Sequence, residues 1–185
     1  QDEFGYVENF SVSVIAKACK LKNVEVKTAI IKLVESKKIT ATTNFSLLSS
    51  VDVISICVST TLRKSKDPDM SYIISAIDSI CSVARAGQLI ILESTTYPGT
   101  TEEEVISRLE KKGFVVGKDI YVCYSPERED PGNESYSTRT IPKVVGAKTK
   151  DCLEVALSTY SSAIKKVVPV SSIKVAEMTK LHENI

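Results

Sequence analysis

Residues 51–58 are largely β-branched and apolar, and a run of that length and character predicts a strand buried on both faces. Short apolar runs recur at 88–92, 120–124, 143–145 and 166–170. Helical segments are predicted at 71–84, 102–112, 150–164 and from 173 onward. Asp69 stands where it can cap the first, Thr101 and Glu104 form a capping-box pattern on the second, and Gly87 and Gly113 sit at helix ends. Ahead of them Val26, Ala29, Ile30, Leu33 and Val34 recur at helical spacing, predicting an amphipathic helix over 24–36. Strands alternating with helices argue for an α/β fold whose largely parallel sheet is covered on both faces. The polar stretch 128–141, with Pro131, Gly132 and Asn133, is too long for a simple connection and reads as a functional loop.

In such sheets ligands bind where strands end and helices begin, at the carboxyl edge. Three polar segments bear on that edge. Leu92-Glu93-Ser94-Thr95-Thr96-Tyr97-Pro98-Gly99-Thr100-Thr101 follows one apolar run and Ser125-Pro126-Glu127-Arg128-Glu129-Asp130 another. The third lies on the last helix, where Glu177, Lys180 and Asn184 at i, i+3 and i+7 share one face, with His182 rotated away. Each has a plain alternative: a polar loop, a surface ion pair, a solvated helix stripe.

With Pro142-Lys143-Val144-Val145-Gly146 between them, these segments resemble the UDP-glucose/GDP-mannose dehydrogenase family, nearest to its UDP-N-acetylhexosamine 6-dehydrogenases. The resemblance runs from about residue 39 to 185. Cys57-Val58-Ser59-Thr60-Thr61-Leu62 is similar to the family's Cys-Val-Pro-Thr-Pro-Leu loop, with Ser59 and Thr61 replacing prolines. The resemblance implies an NAD-dependent enzyme of polysaccharide biosynthesis that oxidises the C6 alcohol of a UDP-sugar to a carboxylate. It implies catalytic roles for Thr95, Glu127, Lys180 and Asn184, cofactor contacts from Tyr6, Val7, Ser59, Thr60, Ser94 and Thr95, and substrate contacts from Glu127, Arg128, Lys180 and Asn184. It also implies a Rossmann-like domain over 1–170, a connecting helix beginning at 171–185, and a homo-oligomeric intact protein.

Two family features are missing from the chain. A dinucleotide site of this kind opens with Gly-x-Gly-x-x-Gly, so that amides at a helix start meet the pyrophosphate. Of the seven glycines no two are separated by a single residue, and after Gly5-Tyr6-Val7 stands Glu8 where a glycine belongs. The first half of the fold is therefore expected to be incomplete, with residues 1–38 atypical. The family's nucleophilic cysteine lies in a Cys-Leu-Pro segment, a context that none of the five cysteines has. An incomplete 6-dehydrogenase and a degenerate, non-catalytic binding or interaction module both remain open.

Composition narrows the partners. A net charge of +1 leaves no electrostatic footprint for nucleic acid or an anionic membrane. No apolar stretch approaches the ~20 residues of a membrane span. Five widely spaced cysteines read as buried free thiols of a reducing, cytoplasmic protein, and the single histidine cannot anchor a histidine metal cluster.

Overall fold

One five-stranded sheet organises the chain, in the order β1 (Val53–Ile56), β2 (Leu89–Leu92), β3 (Tyr121–Tyr124), β4 (Lys143–Ala147) and β5 (Val167–Pro169). The computed structural model describes residues 23–40, 42–63, 67–127 and 141–183, with side chains from 28 to 182 within those spans. Strands β1, β2 and β3 are mutually parallel, β3 and β4 are antiparallel, and β4 and β5 are parallel. The expected largely parallel sheet is present, with one reversal at the polar connection after β3.

The helices are α1 (Asn23–Glu35), α2 (Ser71–Cys81), α3 (a π-helical turn Thr101–Ile106 continuing as Ser107–Lys111), α4 (Lys150–Ser161) and α5 (Ile173–Glu183). The succession β1-α2-β2-α3-β3 is one βαβαβ half of a doubly wound fold. Among the described residues β1 is the outer edge of the sheet, and the strands of a preceding half are not among them. The chain divides into two compact units. One comprises Phe45–Arg128 with Arg139–Ile185 and holds the sheet; the other comprises Gln1–Asn44 with Glu129–Thr138 and includes α1.

The two-residue period of the strands sorts the core of the sheet unit into two layers. Ile54, Ile56, Ile90, Leu92, Val122, Tyr124 and Val144 point to one face and pack with Ile73 and Ile77 of α2, Val105 and Leu109 of α3, and Ile173 and Ala176 of α5. Leu89, Ile91, Cys123 and Val145 point to the other, against Ala156 and Leu153 of α4. Strand β2 is buried along its whole length, whereas β1 alternates and leaves Val53 and Ser55 exposed.

Two helix starts differ from expectation. Asp69 does accept the Ser71 amide at 3.1 Å, but it also holds Arg63; hydrogen bonding to the Ser71 side chain, then to its amide and to Arg63, keeps the carboxyl below the ordinary aspartate range. The capping box at Thr101 is not formed. Glu104 pairs instead with Arg108 one turn on, at 2.9 Å, and the carboxylate at the start of α3 comes from Glu177 on α5. The far end of α3 follows the sequence: Gly113, at φ +96°, donates to Glu110 O and Phe114 donates to Leu109 O, a Schellman closure.

Helix α5 lies close against β4 because position 146 has no side chain. A Cβ on Gly146 would stand 2.4 Å from Ser172 O and 2.8 Å from Ala176 Cβ. Backbone on one side and a buried methyl on the other cannot both yield. Gly146→Ala is therefore expected to lower stability by about 2–3 kcal/mol through overpacking, read as a reduced urea midpoint at unchanged m-value. An unaltered midpoint would show that α5 is not seated through this contact.

Candidate active site

Parallel pairing brings the carboxyl ends of β2 and β3 flush, with Leu92 opposite Tyr124. Past those ends the Ser125 amide donates to Leu92 O at 3.1 Å and the Glu93 amide to Ile56 O at 3.0 Å. The segments beginning at Glu93 and Ser125 therefore leave the sheet side by side.

Alternation continues into the first segment. Ser94 and Thr96 are buried, and Thr95 between them is half-buried. The Ser94 hydroxyl accepts the Val58 amide and donates to Val58 O, both at 2.8 Å, so it fastens the loop after β1 to the end of β2. Thr96 donates to Thr100 Oγ1 at 2.6 Å and Thr100 to Tyr97 O at 2.8 Å, closing the turn. Gly99 completes that turn at φ +105°, a conformation that disfavours any side chain.

The second segment is tied from three directions. Ser125 Oγ donates to Val144 O at 2.8 Å, and the Lys143 ammonium donates to Pro126 O at 3.2 Å. From α5, Lys180 Nζ donates to Glu127 O at 2.9 Å and lies 3.5 Å from Glu127 Oε2. Lys180 is largely enclosed, at 14% side-chain exposure, while the Glu127 side chain is 50% exposed.

Beneath this edge lies a partly buried ion pair, Lys143 Nζ to Glu93 Oε2 at 2.8 Å. Tyr160 of α4 donates its hydroxyl to Glu93 Oε1 at 2.7 Å, and the Lys143 ammonium lies 5.3 Å from the Tyr160 ring centroid. Ser55 adds a donor at 3.2 Å. Burial, and secondarily the Glu93 charge, push the Tyr160 phenol far above its ordinary pKa. Burial likewise raises the Tyr124 phenol, with Glu177 next in effect, and the Cys123 thiol, with Cys152 next.

The geometry thus joins Glu127 and Lys180 and sets Thr95 on the neighbouring strand end. Ser59 is exposed and Thr60 partly buried in the loop that Ser94 holds. Tyr6, Val7, Arg128 and Asn184 lie outside the described residues. Glu177 faces the core at 0% exposure, and no bond joins it to Lys180: it accepts the amides of Gly99 and Thr101 and the Thr101 hydroxyl. Cys81, Cys123 and Cys152 are buried free thiols, and Cys57 is exposed.

Sequence reasoning missed Glu93, Lys143 and Tyr160 as a unit. A signal was present: Lys143 opens an apolar strand, and a cation buried in a strand needs a partner. The partner's identity depends on sheet order, which local pattern does not encode.

Residues 12–164 match the NAD binding domain of the UDP-glucose/GDP-mannose dehydrogenase family, and the chain belongs to that family. It is 42% identical over 145 residues to Protein CapL of Staphylococcus aureus, covering 77% of this chain and 34% of that protein. To the UDP-N-acetyl-D-glucosamine 6-dehydrogenase of Pseudomonas aeruginosa it is 36% identical over 155 residues, covering 83% of this chain and 37% of that one. Among solved structures, the UDP-D-ManNAc dehydrogenase of Pyrococcus horikoshii superposes with a TM-score of 0.80 at 29% identity, over 95% of this chain and 42% of that one. The chain therefore spans little more than a third of the curated relatives it matches.

The described edge fits the cofactor named by the family. The loop after β1 is fixed through both backbone groups of Val58, leaving the Ser59 hydroxyl outward at the carboxyl ends of parallel strands. Among the described residues no cluster of His, Cys, Asp and Glu could hold a metal ion, and no helix is long and apolar enough to cross a membrane.

Two outcomes follow from the buried network. Lys143→Met leaves Glu93 without its cation and is expected to cost about 2–3 kcal/mol by urea denaturation, less than a fully dry pair because Glu93 retains contact with water. An unchanged midpoint would mean the pair contributes nothing. Second, the unfolded chain releases cysteine and tyrosine protons from about pH 8.5 and 10, whereas folded Cys123, Tyr124 and Tyr160 hold theirs. The folded state then binds more protons, so stability falls as pH rises above about 9, by up to ~1.4 kcal/mol per pH unit for each group. Tyr160→Phe should flatten the alkaline slope by about one proton, measured from urea midpoints across that range.

Proposed function

We propose that this chain is the cofactor-domain portion of an NAD-dependent UDP-sugar 6-dehydrogenase that oxidises the C6 alcohol of a UDP-N-acetylhexosamine to a uronic acid. The observation that carries the reading is the Lys180 ammonium on Glu127, two groups far apart in sequence that meet at the carboxyl edge beside the Thr95 segment. The names of the similar proteins from Pseudomonas aeruginosa and Pyrococcus horikoshii support an acetylhexosamine as the sugar. Residues 1–170 supply the NAD-binding domain and 171–185 begin the helix leading to a substrate domain.

When bound, NAD⁺ accepts hydride from the sugar carbon. The chain's own residues orient and neutralise. Lys180 on α5, with Asn184 four positions on in the sequence, donates toward negative charge developing on the sugar oxygen, an arrangement commonly worth ~3–4 kcal/mol of barrier. The half-exposed Glu127 carboxylate and the Thr95 hydroxyl hold the water that enters at C6. Arg128 and Glu127 contact the substrate, while Ser59, Thr60 and Ser94 border the cofactor; a cofactor role for Tyr6 and Val7 rests on the family resemblance alone.

In the full-length gene product, Lys180→Met is expected to lower kcat about 100- to 1000-fold with the KM for NAD⁺ little changed, by steady-state kinetics. Undiminished turnover would remove Lys180 from the chemistry. The 185-residue chain by itself is expected to bind NAD⁺ no more tightly than ~1 mM, about −4 kcal/mol, because its sequence holds no Gly-x-Gly-x-x-Gly pattern to offer amides to the pyrophosphate. Micromolar binding by titration calorimetry would show that another part of the chain supplies those donors.

A further inference from the structure

We propose that Glu177 is a positioning residue: its buried carboxylate locks the rotation of α5 against the turn at 99–101 and so aims Lys180 at Glu127. The inference deepens the reading above and rests on it for the chemical role of Lys180.

The argument begins with helix geometry. Ile173, Ala176, Glu177 and Lys180 recur at spacings of three and four, so they form one stripe. Ile173 and Ala176 seat that stripe in the core beside β4. Apolar contacts of that kind hold a helix against a sheet without fixing its rotation, since dispersion is non-directional. Directional contacts fix rotation, and Glu177 supplies three. One carboxylate oxygen accepts the Gly99 amide; the other accepts the Thr101 amide at 2.9 Å and the Thr101 hydroxyl at 2.7 Å.

Each donor belongs to the turn that follows Thr95. Gly99 can offer its amide because its backbone takes φ +105°, and Thr101 opens α3, where the helix dipole favours a carboxylate. Burial at 0% exposure makes the arrangement demanding, because a buried carboxylate must be fully satisfied by donors. One turn further along the same stripe, Lys180 reaches Glu127 O at 2.9 Å. A rotation of α5 by a few tens of degrees would break that contact. A single carboxylate thereby couples the Thr95 segment to the helix that carries Lys180.

The test compares Glu177→Gln, Glu177→Asp and wild type in the full-length gene product, with three readouts. Glutamine presents an NH₂ group to at least one of the three donors, so Gly99 and Thr101 amides should exchange about tenfold faster by hydrogen exchange. Acetic anhydride labelling of Lys180, read by peptide mass spectrometry against exposed Lys150, should rise about fivefold as the ammonium leaves Glu127. Turnover should fall about 10- to 100-fold with the KM for NAD⁺ nearly constant. Glu177→Asp, which keeps the charge, should recover part of all three.

Lys180 labelling that stays at the wild-type level while the Gly99 and Thr101 amides are released overturns the proposal, whereas wild-type turnover with Lys180 freed overturns the catalytic reading of Lys180 instead. If Glu177→Gln does not fold, Thr101→Val removes one donor at nearly constant volume and should produce the same labelling change in smaller degree; no change there overturns the proposal too. The catalytic reading fails separately. Lys180→Met with full turnover removes it, whatever Glu177 does to the labelling of Lys180.

Discussion

Everything at the candidate site depends on β2 lying between two parallel neighbours. Its four residues pair with β1 on one side and β3 on the other, so three chain segments leave the sheet at a common edge. Parallel pairing is possible only because α2 and α3 return the chain to the same end of the sheet each time. Covering both faces of β2 makes Leu89, Ile90, Ile91 and Leu92 among the most buried residues in the molecule. A one-residue slip would exchange the two buried faces and carry Ser94 and Thr96 outward in place of Thr95. The register of β2 thus fixes both the core and the orientation of the Thr95 side chain.

On this apolar frame the site is set by buried polar contacts. Ser94 holds the loop after β1, Lys143 and Ser125 hold the turn before Glu127, and Glu177 holds the start of α3. Each tie joins elements that neighbouring apolar side chains would hold only loosely in rotation and translation. Buried charges are poor sources of stability, since desolvation offsets most of the attraction. Their value here is directional: an ammonium shared between Glu93 and Pro126 O admits one placement of the chain after β3.

Much of the fold was legible in the sequence because strand and helix periods are local. All five apolar runs became strands, and the helices at 71, 150 and 173 begin where the pattern places them. What local pattern could not supply was tertiary. Thr101 and Glu104 fit a capping box, yet the cap comes from Glu177, which is distant in sequence; a buried carboxylate satisfied by three donors outcompetes an exposed one that can instead pair with Arg108. The antiparallel turn of β4 was equally hidden, because strand direction depends on the connection and not on the strand. At the site, the pairing of Glu127 with Lys180 was approached through the family resemblance; Glu93 with Lys143 required the sheet order.

The same reasoning bears on why α5 carries a carboxylate in its core-facing stripe. A leucine at 177 would bury apolar area and leave the Gly99 and Thr101 amides with one fewer acceptor each, at about 1–3 kcal/mol apiece where they are shielded from water. The start of α3 would then have to find other acceptors or fray. Its first turn is already π-helical and carries Glu102, Glu103 and Glu104, of which Glu102 is held by Lys148 and lies near Lys174. Acidic residues there complement the helix dipole from the solvent side, and Glu177 complements it from the core side. The turn at 99–101 is thus held between charges on two sides, which fixes the segment bearing Thr95 more firmly than apolar packing at 177 would. Position 177 exchanges apolar burial for geometric definition of the turn at 99–101.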